Sequence, residues 1–259
     1  MASMRDIKRR KDSIQSTGQI TKAMKLVSTV KLQKAKGRAE NTKPYFDLMY
    51  ETVQSILAKS GHINHKYLKE SESDKKAVIV VTANRGLAGG YNSNITRMII
   101  DEGFTKENTV VYAVGKKGRE LLERKGYEIK ADYSEAINDP IYKDAKEICD
   151  DVLSAFADGE VGEIYLAYTV FKNTVVHEPQ LIRLLPVEAD DAAHETDGSE
   201  ALMTYEPSEE EALDMIIPKY VCSLVYGALI ESVASENGAR MQAMDSATSN
   251  AEEMISTLS

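Results

Sequence analysis

Both ends of this chain are written as helix far longer than a small domain is wide, and this limits its fold more than any other feature. From Arg5 to Lys43 there is no proline, the only glycines are Gly18 and Gly37, and helix formers dominate. A helix of roughly 35–40 residues, at about 1.5 Å rise per residue, reaches on the order of 55 Å. Pro44 is expected to end or kink it, since the residue before a proline disfavours the helical region. A second helical stretch then runs from Tyr45 to Lys59. At the other end, only Pro218, Gly227 and Gly238 interrupt helix between Ser208 and Ser259. There Tyr226, Ile230, Val233, Asn237, Arg240, Met244, Ala247, Ala251, Met254 and Leu258 are spaced alternately four and three apart. That is the seam of a coiled coil, with Asn237 and Arg240 as its polar positions.

The partner for that seam is expected to be the N-terminal helix. Its apolar positions, Ile7, Ile14, Ile20, Met24, Val27 and Val30, are sparse for a core helix. Small and hydroxyl residues (Ser13, Thr17, Thr21, Ala23, Ser28) fill the rest of the face and permit close approach. Charge agrees. Residues 1–40 hold eleven Lys or Arg against three Asp or Glu, and residues 206–259 hold two against ten. A basic arm alone would suggest a nucleic-acid partner, but an acidic arm of equal size at the other end suggests that the two complement each other. Asn237 and Arg240 either set register within the seam or turn outward to a partner.

Between the arms the pattern changes. The polar stretch from Ser60 to Lys76 reads as a linker. Ala77 to Thr82 is a β-branched run of the buried-strand kind, followed by the turn Asn84-Arg85-Gly86-Leu87-Ala88-Gly89-Gly90 and a helix from Ser93 to Glu102. Thr109–Val114 as strand, a turn from Gly115 to Gly118 and Arg119–Lys125 as helix form a second unit. A helix over Ile141–Phe156 and strands over Glu163–Thr169 and Leu181–Val187 complete it, the last strand at an edge or antiparallel. Such alternation predicts a Rossmann-like, mostly parallel α/β domain inserted between two long terminal helices that form an antiparallel coiled coil. The expected division is 1–60 for the first helix, 75–200 for the α/β domain and 207–259 for the last helix, with residues 188–199 an acidic exposed loop.

Signals for catalysis are weak. The turn at Asn84–Gly90 lies where phosphates often bind, yet it matches neither a Walker loop nor GxGxxG. A tight turn needing positive φ accounts for Arg85, Gly86, Gly89 and Gly90 more simply. His62, His65, His177 and His194 lack a zinc-site pattern. Cys149 and Cys222, the two cysteines, give neither a disulfide framework nor a metal motif and fit a reduced compartment. Charge continues past the basic start, where a secretory signal would turn apolar, and the apolar run Ala77–Val81 is too short to span a bilayer. These features predict a soluble, non-catalytic protein without metal or cofactor.

Three segments then become recognisable. Gln19-Ile-Thr-Lys-Ala-Met-Lys-Leu-Val-Ser, Asn84-Arg-Gly-Leu-Ala-Gly-Gly-Tyr-Asn and the run from Ala234 to Ala251 resemble, in order, the motifs of the gamma subunits of F-type ATP synthases. Ala88 stands where a cysteine is common in that family. The resemblance implies a rotor that couples proton flow to ATP synthesis by rotation, the terminal helices turning inside a ring of alpha and beta subunits. It further implies an α/β foot that sits with the epsilon subunit on the c-ring. One copy per complex is implied, with no nucleic-acid partner, membrane contact only through the Fo sector, and a peripheral place on the cytoplasmic face of a bacterial cell membrane. By motif position Lys22, Met24, Lys25, Glu236, Arg240 and Met244 are expected at the catalytic hexamer, and Tyr205 and Glu206 at the epsilon and c-ring foot. Relatives usually continue beyond Ser259 for a few helical turns, so the expectation is either a sequence cut short of the axle tip or a protein with a short axle. A nucleotide-binding enzyme using Asn84–Gly90 and Gly115–Gly118, and a free-standing coiled-coil scaffold, are the alternatives.

Overall fold

The last helix of the chain runs back along the first. The structure, a computed structural model, describes residues 4–59, 65–69, 73–187 and 208–258. Helix α1 (Met4–Lys59, 56 residues) and helix α5 (Glu209–Thr257, 49 residues) are antiparallel, and their contacts follow in reversed order. Gly18 meets Ala251, Thr21 and Thr248 share a hydroxyl hydrogen bond of 2.7 Å, Lys25 pairs with Asp245 at 2.6 Å, and Tyr50 meets Tyr220 with ring centroids 6.4 Å apart. At about 1.5 Å per residue the two helices span ~84 and ~73 Å.

The face of α1 turned to α5 is built from small and hydroxyl side chains. Thr21, Ser28, Leu32 and Ala35 are buried there, and a Cβ added to Gly18 would lie 3.3 Å from the Ala251 Cβ. The expected apolar contribution is corrected on this point. Ile20, Val27 and Val30 are 58%, 58% and 66% exposed, outside the line of closest contact between α1 and α5. A close helix pair needs small residues between its backbones, so the bulkier ones are turned outward. At the upper end the α5 seam is likewise open, with Met254 52% exposed.

Pro44 does not end α1, which continues through it to Lys59. The lost hydrogen bond and ring clash cost roughly 3 kcal/mol in a helix interior. Beyond Pro44, however, Phe46 lies 6.3 Å from Tyr226, and Val53, Ile56 and Leu57 are buried in the main core. That burial holds the helical path, since each fully buried aliphatic side chain contributes about 1.5–3 kcal/mol. Pro218 within α5 is tolerated in the same way, between buried Ile217 and Tyr220.

The inserted domain is a five-stranded sheet: β1 (Lys76–Val81), β2 (Thr109–Val114), β3 (Glu128–Asp132), β4 (Glu163–Phe171) and β5 (His177–Leu185), in the order β3-β2-β1-β4-β5. All neighbours pair in parallel except β4 and the antiparallel edge strand β5. Strand β3 was not expected from sequence. Its alternation of exposed charge and half-buried side chains marks an edge strand, without the β-branched run that identifies β1 and β2. Residues of β1 alternate between faces. Val78 and Val80 pack with Ile95, Ile99 and Leu122 under helices α2 (Tyr91–Asp101) and α3 (Lys116–Arg124). Ala77, Ile79 and Val81 face the other way, toward helix α4 (Tyr142–Ala157) and α5.

Helix α5 is therefore more than one strand of a coiled coil. Leu213, Ile217, Val221, Val225 and Leu229 are fully buried within the core that also holds the β1 side chains. This explains why α5 is long and apolar enough, by length and composition, to cross a membrane. A helix covered on several sides has apolar residues all round. Replacing Gly18 by Val should force the rod apart, at a cost of roughly 1–3 kcal/mol. Thermal unfolding followed by helical circular dichroism should show a lowered midpoint; an unchanged midpoint would mean the helices are not in close contact there.

Candidate functional site

Where the rod leaves the α/β domain, polar side chains join them. The strand-to-helix turn Asn84–Gly90 lies against α5. Arg240 ion-pairs with Glu236 one turn before it at 2.7 Å, both side chains being mostly buried at 11% and 14% exposure. The Arg240 Nη2 also donates to the carbonyls of Gly86 at 3.3 Å and Arg85 at 3.5 Å. Of the seam positions left open by the sequence, Arg240 turns to the Asn84–Gly90 turn and lines a groove that α1 also borders. Asn237 is buried too, its Nδ2 donating to the Val233 carbonyl at 2.8 Å.

The turn itself is held on several sides. Asn92 Oδ1 accepts from the Ala83 amide at 2.8 Å, and Asn84 donates to the Ser134 carbonyl at 2.7 Å. Positive φ falls on Leu87 (60°) and Gly89 (55°), not on Gly86 or Gly90. A leucine in that conformation is unusual and persists only where its surroundings fix it. Its side chain is 65% exposed, beside a groove of about 830 Å³ that Ile20, Met24, Val27, Glu236 and Arg240 also line. Sequence reasoning missed Leu87, because nothing in an isolated turn shows which residue takes the strained position.

Phosphate binding at the Gly115–Gly118 turn is opposed by the geometry. The amides at the start of α3 that would hold a phosphate are taken within the chain. Lys116 N donates to Asn84 Oδ1 at 3.0 Å, Lys117 N to the Ala83 carbonyl at 3.0 Å and Gly118 N to Thr82 Oγ1 at 2.9 Å. A Cβ at Gly115 would lie 2.1 Å from the Thr82 carbonyl oxygen, so that glycine admits the neighbouring strand.

Further buried bonds fasten α5 to the sheet. Tyr91 donates to the Ser232 carbonyl at 3.2 Å, and Ser235 donates to the Thr169 carbonyl at 3.1 Å. Burial raises the Tyr91 hydroxyl well above its ordinary pKa, so it stays a donor. His177 stacks on Phe171 at 5.9 Å, with its Cε1 2.5 Å from where a Gly238 Cβ would be, and burial lowers its pKa. From the rod, Arg38 of α1 pairs with Asp139 and donates to the Pro140 carbonyl.

The structure distributes the sequence-predicted residues unevenly. Met24 lines the groove with Glu236 and Arg240, while Lys22 is exposed nearby on α1. Lys25 is engaged with Asp245, and Met244 is buried, 4% exposed. Arg85 and Gly86 reach the groove; Gly89 and Gly90 lie at a smaller pocket on the far side of the turn. Tyr205 and Glu206 lie outside the described residues.

A long antiparallel helix pair rooted in an α/β base, and tied to it by buried polar contacts, has the form of a shaft. The chain belongs to the family of ATP synthase gamma subunits: the ATP synthase family model matches residues 3–259. It is 67% identical over 265 residues to the "ATP synthase gamma chain" of Lachnoclostridium phytofermentans, covering 100% of this chain and 91% of that one. It is 41% identical over 272 residues to the "ATP synthase gamma chain, sodium ion specific" of Acetobacterium woodii, covering 99% and 90%. Among solved structures, the central stalk and c-ring assembly of the Tetrahymena thermophila mitochondrial ATP synthase matches with a TM-score of 0.66 and 26% identity, over 88% of this chain and 99% of that one. The protein is thus a central-stalk rotor subunit of the F1 sector, peripheral to the membrane through its complex.

Two outcomes are expected at the junction. Arg240→Met leaves Glu236 buried without its partner and should cost roughly 3–5 kcal/mol, with much of it recovered in the Arg240→Met/Glu236→Gln double variant. Chemical denaturation of the four proteins measures this; additive losses would mean the pair is not coupled. For His177 the folded pKa lies below the unfolded one, so its contribution is full above the unfolded value near 6.5 and is lost as pH falls through the folded value. Thermal midpoints at pH 7.5 and 5.5 should therefore differ less in His177→Phe than in the parent protein.

Proposed function

We propose that torque enters at a foot formed by residues 75–200, crosses the junction at Arg240, and leaves along the rod of residues 1–60 and 207–259 to the alpha and beta subunits. The observation carrying this reading is the outward apolar ridge of α1. Ile20 and Val27 are exposed and line one groove with Leu87, and Val30 is exposed further round α1, on a rod that also carries charged residues such as Lys8, Arg9 and Lys22 at its surface. Exposed apolar groups in a row mark a contact surface. Discrete contacts on a charged rod suit a shaft that must push its socket without binding it tightly at one angle.

In this reading Met24, Lys22 and Leu87 touch the catalytic hexamer. Lys25 at the rod surface, and Glu236, Arg240 and Met244 inside it, act by holding α1, α5 and the turn in place. Tyr205 and Glu206 serve the epsilon and c-ring contact, as the family motif supports. One copy works in each complex, on the cytoplasmic face of a bacterial cell membrane, driven by ion flow through the Fo sector. A proton is the expected ion; the relative named as sodium-specific supports testing both.

Met24→Lys, and separately Leu87→Asp, should leave ATP hydrolysis by the assembled complex largely intact while most ion pumping per ATP is lost. Hydrolysis and acidification measured on the same vesicles, with sodium varied, check this. Normal pumping in both variants would remove the groove from the coupling path.

A further inference from the structure

The sheet has a crevice that the rotor role does not use. Strands β1 and β4 lie side by side in parallel, with Val80 beside Ala167. From β1 the chain goes on to β2 on one side, and from β4 to β5 on the other. Loops that part in this way open a gap at the carboxyl ends of the two strands, where open α/β sheets bind small ligands. Here that place holds a cavity of about 260 Å³, lined by Thr169 near the end of β4 and by the start of α2, the helix that follows β1.

The polar groups of this cavity are unspent. Thr169 is 2% exposed, and neither its Oγ1 nor either ring nitrogen of the half-buried His177 has a hydrogen-bond partner. The Tyr91 hydroxyl beside Thr169 donates instead to the Ser232 carbonyl at 3.2 Å. The Thr174 backbone lies near the His177 ring but outside hydrogen-bonding geometry. Buried polar groups are nearly always paired, so three orphaned atoms around one cavity point to a ligand that pairs them. Gly89 and Gly90 line the same cavity, and their amides have no partner among the described residues. Gly90 caps α2 without a side chain over the helix start. This contrasts with the start of α3, whose amides are taken within the chain. Across the gap α5 presents Gln242 and Ser246, four residues apart and so on one helix face.

We propose that this crevice binds a phosphate group, free or on a small monoester, between the Gly89–Gly90 amides, Thr169 and His177 of the base and Gln242 and Ser246 of the rod. The open start of an 11-residue helix, with its bare amides, favours an anion. Among the described residues, none lining the cavity carries a carboxylate, which opposes a cation. Near neutral pH a phosphate has both acceptor oxygens and an O–H. It can therefore meet the amide and hydroxyl donors and also the acceptor nitrogen of His177, whose ring burial keeps neutral. The volume admits phosphate with a short substituent and is small for a whole nucleotide. A ligand gripped by α2, β4 and α5 together holds the base to the rod.

The test uses the full chain, dialysed free of phosphate and titrated by calorimetry with inorganic phosphate and with glycerol phosphate. Sodium chloride at matched ionic strength is the control. Saturable binding of one phosphate per chain is expected, with a thermal midpoint that rises with ligand concentration. Thr169→Val keeps the side-chain shape and removes a hydroxyl that bonds to nothing in the chain. It should leave the ligand-free midpoint unchanged while weakening phosphate binding by about tenfold. Gln242→Ala, at the rod wall, should weaken it several-fold. Tighter binding of inorganic phosphate would support the free ion as ligand, and tighter binding of glycerol phosphate a monoester. No saturable binding of either by the parent chain, an equal effect of chloride, or unchanged affinity in a folded Thr169→Val protein would each overturn the proposal. The measurements on the parent chain stand even where a variant fails to fold.

Discussion

The rest of the structure depends on α5 being buried in two places at once. Its first half completes the core beneath β1 and β4, where Leu213, Ile217 and Leu229 have no exposure. Its second half pairs with α1 as a rod. One continuous helix therefore passes from base to shaft without a linker, and a hydrogen-bonded helix transmits twist where a flexible connection would absorb it. The apolar cost of unwinding α5 near its middle is shared by both halves, since neither core is complete without it.

Polar contacts then set the angle between base and rod. Apolar packing is non-directional, so a helix on a greasy sheet face can slide or rotate at modest cost. Tyr91 to Ser232, Ser235 to Thr169 and Arg240 to the Gly86 carbonyl each demand one register of α5. Breaking any of them leaves a buried polar group unsatisfied, which costs more than the bond contributes when made. Arg38 on Asp139 adds a bond from α1, so both helices of the rod are tied to the base.

Much of this architecture is legible in sequence for a physical reason: periodicity and propensity are local. Long runs without proline mark α1 and α5, and β-branched runs mark β1 and β2 within a residue or so. The same locality explains the failures. Pro44 carries a strong breaking signal, but the signal says nothing of Phe46 and Val53, whose burial keeps the helix going. Ile20, Val27 and Val30 read as a buried stripe, because apolar residues usually are; here the seam is made of Gly18, Thr21 and Ser28. Edge strand β3, with its charges, carries too little pattern to be seen.

The sequence by itself determined the order of elements, the fold class and, through three motifs, the family. Those follow from residue types and their spacing along one dimension. Tertiary structure alone decided which side of α1 faces outward, that Arg240 turns to the Asn84–Gly90 turn, and that the positive φ rests on Leu87. Each is a meeting of residues far apart in the chain. Such contacts depend on the angle at which two helices and a sheet settle against one another, and that angle is fixed by the sum of many side-chain packings rather than by any local signal.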